Sequence, residues 1–312
     1  MRCASLLVTA AWACTPTASS SPPSATPQPA MHVVAPPTSQ PEAPTPIAAS
    51  PRGCRLTAGD HELDLEVAGA PRHLLLEVGD EVRSTPPVVF AWHGFGDSPW
   101  SAKASLASEP GWRDAIIVAP QGGPRTFDQF GPKPRAGWQV HAGELGDRDL
   151  AFFDAIVAEL ARLDCLDRSR VYSTGFSNGG FFTNVLACHR SEVLAAVAPA
   201  GGGGPFETCD GPRIPTLITH GRKDGVVPFA MAETSLTRWA ARNGCSAKPK
   251  APTQGCSVVP GCDADAPVEM CALAIDHVWP EGQSRRVTEF LRRFRKTTKG
   301  PAAAVGGHGS PS

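Results

Sequence analysis

The chain carries almost no net charge. Its 29 lysines and arginines face 30 aspartates and glutamates, a formal balance of −1 over 312 residues. So even a balance offers no basic footprint to nucleic acid or to an anionic membrane surface, and nucleic acid is not expected as a partner. The apolar run from Ala4 to Ala13 is too short to span a bilayer as a permanent helix. Close Cys-x2-Cys pairs are missing among the ten cysteines, which argues against zinc; no metal or cofactor is expected. No internal repeat is visible. No long insertion follows the sixth expected strand, which argues against a large lid.

What is present is unevenly distributed. Arg2 followed by the Ala4–Ala13 run fits a short signal peptide over 1–13. Ala11-Trp12-Ala13 reads as a small-x-small cleavage site, or as a degenerate lipobox ending at Cys14. Cysteine parity favours the lipobox. Removal of Cys3 and lipidation of Cys14 would leave eight cysteines, an even number, and anchor the protein to a membrane. Residues 14–52 are dense in Pro, Ser, Thr and Ala and read as a linker; 298–312 read as a tail. The domain between them, 53–297, holds the eight cysteines expected as disulfides in an oxidising compartment. Cys165 and Cys188 flank one strand and helix, so a bond between them would brace the intervening turn. Cys245 is expected to pair with Cys256 or Cys262.

Within the domain, alternation or continuous apolar runs predict strands over 61–67, 74–78, 87–92, 115–119, 194–198, 216–219 and 268–275. Helical periodicity covers 149–163, 231–242 and 284–296. Strands alternating with helices predict a mostly parallel α/β sheet with right-handed crossovers.

One stretch organises the rest: Gly175-Phe176-Ser177-Asn178-Gly179-Gly180, led in by the strand-like 170–174 and out by the helix-like 181–187. Strand, tight turn with a central Ser, then helix is the nucleophile-elbow pattern. Ser177 needs a general base, and the base needs an orienting acid. The pattern calls for an acid after a late strand and a His after the last one. Asp224, in His220-Gly221-Arg222-Lys223-Asp224, is the expected acid, and His277, in Asp276-His277-Val278-Trp279-Pro280, the expected base. Asp276 competes with Asp224, but a neighbour of the His rarely reaches its Nδ1. His93, His141, His189 and His220 compete with His277; structural roles suit them better. The backbone amides of Asn178 and of Phe95, in the Gly-rich loop 93–98, are the expected oxyanion donors, with Gly96 as a substitute. Trp138 and Trp279 are expected to contact substrate, with core filling as the alternative.

These segments resemble a known group. His93-Gly94-Phe95-Gly96, the Ser-Asn-Gly-Gly elbow, Leu186-Ala187-Cys188, His220 to Pro228 and His277-Val278-Trp279-Pro280 look like the polyhydroxybutyrate depolymerase-like and feruloyl esterase-like secreted esterases of carbohydrate esterase family 1. The resemblance spans about 54–296. It implies an α/β-hydrolase fold, no cofactor, and ester hydrolysis through an acyl-enzyme on Ser177, with Asp224, His277 and the Phe95 amide in the roles given above. Many members have glycines before the base; here Ile275-Asp276 stand there. The expected substrate is a feruloyl or acetyl ester of plant polysaccharide, acted on by a monomer. A polyhydroxyalkanoate depolymerase is the runner-up, weakened by the lack of a separate polymer-binding domain. A non-catalytic glycan-binding lipoprotein is the reading from another class.

Overall fold

The continuous apolar runs form the middle of one large sheet. A computed structural model describes residues 53–246 and 249–296. The readings for 1–13, 14–52 and 298–312, Cys14 included, lie outside the described residues. In chain order the elements are β1 (Gly59–Val67), β2 (Ala70–Val78), β3 (Val88–Trp92), α1 (Pro99–Ala107), β4 (Ile116–Pro120), β5 (Gly123–Arg125), β6 (Arg135–Gly137), α2 (Arg148–Arg162), β7 (Val171–Phe176), α3 (Asn178–His189), β8 (Ala196–Ala200), β9 (Thr216–Gly221), α4 (Phe229–Arg242), β10 (Gly255–Val258), β11 (Val268–Leu273) and α5 (Gln283–Leu291).

Nine strands lie in the order β1-β2-β4-β3-β7-β8-β9-β11-β10. The six from β4 to β11 run parallel, and β1, β2 and β10 add antiparallel edges. Side chains alternate across a strand, so a strand covered on both faces must be apolar at every position. Val88, Phe90 and Trp92 of β3 enter one core with residues of α2, α3 and α4. Val89 and Ala91 enter the other with Ala102 and Leu106 of α1 and Val287, Phe290 and Leu291 of α5.

The disulfides are Cys54–Cys165, Cys188–Cys209, Cys245–Cys262 and Cys256–Cys271. Cys245 takes one of its two expected partners. The expected Cys165–Cys188 bond is absent. Cys165 instead holds the first described residues against the end of α2, where the Arg55 amide also donates to the Leu163 carbonyl at 3.0 Å. Cys188 ties the end of α3 to the loop after β8.

Candidate active site

The elbow lies between β7 and α3. Ser177 has φ 54° and ψ −120°, a conformation most L-residues avoid. Its amide donates to the Ala200 carbonyl at 2.9 Å, which helps hold the turn. The flanking glycines are a steric requirement. A Cβ on Gly179 would stand 2.0 Å from the Trp92 carbonyl oxygen, and one on Gly175 would stand 2.5 Å from the Gly179 oxygen. Strand, turn and helix cross too closely here for any side chain.

Ser177, His277 and Asp224 come together from three loops at the carboxyl ends of β7, β11 and β9. His277 Nε2 is 2.8 Å from Ser177 Oγ, and His277 Nδ1 is 2.7 Å from Asp224 Oδ2. A carboxylate can only accept, so Nδ1 carries the proton and Nε2 is free to take the one on the Ser177 hydroxyl. The other Asp224 oxygen accepts the amides of Val226 at 2.9 Å and Val227 at 2.7 Å, which fixes the acid within its own loop.

None of the competing histidines is hydrogen-bonded to Ser177, although His220 Nε2 also lies 3.4 Å from Asp224 Oδ2. His220 Nε2 donates to the Val227 carbonyl at 2.9 Å, and burial pushes its imidazole below the ordinary value. His93 Nδ1 donates to the Gly94 carbonyl at 2.7 Å, and its Nε2 accepts the Gly122 amide at 2.9 Å. Burial lowers the His93 pKa too, which keeps the ring neutral and able to do both. His189 Nε2 meets Glu207 at 2.8 Å, and His141 lines the cleft beside Ser177, its ring against Phe206.

Neither the Phe95 amide nor the Asn178 amide has an acceptor among the described residues, which leaves both for a developing oxyanion. The Gly96 amide is spent on the Ala136 carbonyl at 2.7 Å, which removes it as the substitute donor. The Asn178 side chain binds Trp138 at both ends. Its Oδ1 accepts the Trp138 amide at 2.7 Å and its Nδ2 donates to the Trp138 carbonyl at 3.0 Å.

Trp138 is not where a substrate contact would have to be. Its side chain is fully buried, its indole N–H donates to the His93 carbonyl at 3.0 Å, and its ring stacks on Phe182. Core filling, the alternative for this residue, is the role the structure gives it. Trp279 is half-buried, outside the Ser177 cleft, edge-on to Phe176.

The cleft at Ser177 has a volume of about 280 Å³ and an apolar, aromatic wall from Phe95, Phe127, Phe130, Phe181 and Phe206. Phe95, Phe127 and Phe130 pack on one another with centroids 4.9–6.3 Å apart. Sequence reasoning missed the last four. Phe181 reads as helix interior, and Phe127 and Phe130 lie in a Gly/Pro-rich stretch whose only signal is two aromatics three residues apart.

Among solved structures, the chain is similar to an acetyl xylan esterase from Aspergillus awamori, with TM-score 0.53, 18% identity, and coverage of 74% of this chain and 99% of that one. A thermostable esterase gives TM-score 0.53 at 18% identity, with 76% and 63% covered. The fold is that of the α/β-hydrolases. In sequence, the chain is 32% identical over 185 residues to a probable feruloyl esterase C of Aspergillus flavus, covering 56% of this chain and 63% of that protein. It is 28% identical over 221 residues to feruloyl esterase B of Piromyces equi, covering 63% and 40%. The chain thus spans less than two thirds of the length of these relatives. No family model matches.

Proposed function

We propose that this α/β-hydrolase is a serine carboxylic-ester hydrolase that releases an aromatic acyl group from plant polysaccharide. The observation that carries the reaction is the line from Ser177 Oγ through His277 to Asp224, at 2.8 and 2.7 Å, next to two amides without acceptors among the described residues. Ser177 attacks the ester carbonyl as His277 Nε2 takes its proton, and Asp224 stabilises the imidazolium. The amides of Phe95 and Asn178 hold the oxyanion. His277 then protonates the leaving alcohol, and a water activated by the same imidazole releases the acid.

The substrate class is supported by the names of the relatives and by the aromatic cleft, which suits a planar acyl group. The relatives do not favour the polyester reading. A fluorophosphonate probe is expected to label the protein and to fail on Ser177→Ala. Methyl ferulate hydrolysis is expected to fall about 10⁶-fold in that variant, with the circular dichroism unchanged. Undiminished turnover would reject the mechanism, and turnover of acetyl esters alone would reject the acyl assignment.

Four disulfides suit an oxidising, extracellular setting. Lipid attachment at Cys14 extends that reading. It is supported by the complete pairing of the eight cysteines from Cys54 to Cys271. Palmitate labelling that is lost in Cys14→Ala tests it. Action as a monomer is consistent with all five groups coming from one chain.

A further inference from the structure

One buried side chain touches both the frame of the proposed oxyanion site and the aromatic wall of the cleft. Arg125 ends β5, at the base of the loop that carries Phe127 and Phe130. Its Nη1 donates to the Trp138 carbonyl, the same oxygen that accepts Asn178 Nδ2 at 3.0 Å. Its guanidinium carbon lies 3.9 Å from the centroid of the Phe127 ring. Its Nη2 pairs with Glu144 Oε1, and the other Glu144 oxygen accepts the amides of Val140 at 2.6 Å and His141 at 3.4 Å. Val140 and His141 line the cleft beside Ser177. We propose that Arg125 is a positioning residue for the reaction: paired with Glu144, it holds Asn178 and the aromatic wall in one fixed relation. The inference rests on the esterase reading above.

Two observations support it. The first is the choice of side chain. Among cationic side chains, arginine alone sets several N–H donors in one rigid plane and leaves a flat face free to stack. Here the edge of the plane reaches a carbonyl and a carboxylate, and the face covers an aromatic ring. A lysine ammonium has neither plane nor face.

The second is space. A Cβ on Gly137 would stand 2.9 Å from Asn178 Oδ1 and 3.0 Å from Arg125 Cγ and Cδ. The Arg125 stem and the Asn178 amide therefore close on the same glycine, with no side chain between them. In packing this tight, a shift of one is passed to the other.

Stability alone does not account for the pair. Ions taken out of water lose much of their mutual attraction to desolvation, and a well-packed neutral replacement is often as stable. A neutral replacement does not supply the fork that ties the Trp138 carbonyl to Glu144.

The test uses two variants. Arg125→Lys keeps the charge and loses the fork. Arg125→Met combined with Glu144→Gln removes both charges, so that neither is left buried and alone. Fluorophosphonate labelling run to completion counts the intact Ser177 sites, and kcat is expressed per labelled site. In each variant kcat per site is expected to fall about tenfold on methyl ferulate and on an aryl acetate alike, because the oxyanion forms with every ester. KM is expected to rise about threefold for methyl ferulate and to stay unchanged for the acetate, which is too small to use the wall. Fewer labelled sites with kcat per site unchanged would make Arg125 a structural residue only and overturn the proposal. So would a rise in KM without a fall in kcat, which would separate the wall from the oxyanion frame. An unmodified enzyme that neither labels nor turns over either ester fails the esterase reading itself, and this inference with it.

Discussion

Asp276 Oδ1 accepts the Gly225 amide at 3.0 Å and so fastens the loop that carries His277 to the loop that carries Asp224. The same oxygen accepts the His277 amide at 2.7 Å, and these two bonds hold the Asp276 carboxyl below its ordinary value. Two neighbouring carboxylates thus do different work: Asp224 orients the imidazole, and Asp276 sets the distance between the loops. Asp224→Asn is expected to lower kcat about 10⁴-fold, since an amide favours the wrong tautomer of His277. Asp276→Asn keeps an acceptor oxygen and is expected to cost about tenfold or less. Steady-state kinetics on a short aryl ester checks both, and a reversed ranking would exchange the two roles.

The elbow tolerates no added methyl group. With the Trp92 oxygen 2.0 Å from a Cβ at position 179, Gly179→Ala must displace β3 or α3. A loss of about 3 kcal/mol is expected, seen as a fall in Tm of roughly 6–12 °C. A thermal melt within 2 °C of the parent, an ordinary error margin of roughly that size, would contradict the close crossing.

The aromatic wall should decide which acyl group is preferred. Phe127→Ala removes a ring from the cleft and from the Phe95–Phe130 cluster. The ratio of kcat/KM for feruloyl over acetyl esters is expected to fall about tenfold. An unchanged ratio in both Phe127→Ala and Phe130→Ala would remove the wall from the account of specificity.

Stability should depend on pH through two buried histidines. Burial holds His93 and His220 below their ordinary value of 6.5, so the folded chain keeps them neutral where the unfolded chain takes up protons. The unfolded state then binds more protons, and stability rises with pH across this window. It is fully present above the ordinary value and is lost as pH falls toward the folded-state values. Each histidine contributes a slope of up to about 1.4 kcal/mol per pH unit. Urea midpoints at a series of pH values from neutral downward should show a shallower slope in His93→Asn than in the parent; equal slopes would refute the assignment.

The parallel strands were legible because burial on both faces demands unbroken apolar runs, as in 87–92 and 115–119. The approach of Asp224 and His277 to the Ser177 turn was legible because their order along the chain follows from the sheet. Other parts left little trace. Helix α1 buries only Pro99, Ala102, Lys103 and Leu106 among small residues, so no apolar stripe marks it. Strands β5 and β6 are three residues each, too short for a period to show. The closing helix ends at Leu291, short of 296, because the chain tightens: Arg293 and Phe294 donate to carbonyls only three residues back. The apolar spacing of Phe290 and Phe294 continues past the point where the α-helix has stopped. Trp138 read as a site residue because its segment borders the cleft, yet its ring faces inward; a strand's neighbourhood does not reveal which side a ring takes.

The bonds from Ala136 to Gly96 and from Trp138 to the Asn178 side chain have a joint consequence. The two residues proposed to donate to the oxyanion, Phe95 through its neighbour Gly96 and Asn178 through its side chain, are tied to one short strand and its next residue, and that strand closes the loop bearing Phe127 and Phe130. Under the esterase reading, the aromatic wall and the proposed oxyanion donors are therefore mechanically a single unit. An acyl group that wedges the loop outward also shifts the frame from which the donors hang. Under the esterase reading, such a substrate is expected to be penalised in turnover more than in binding, so that selectivity is expressed as catalysis.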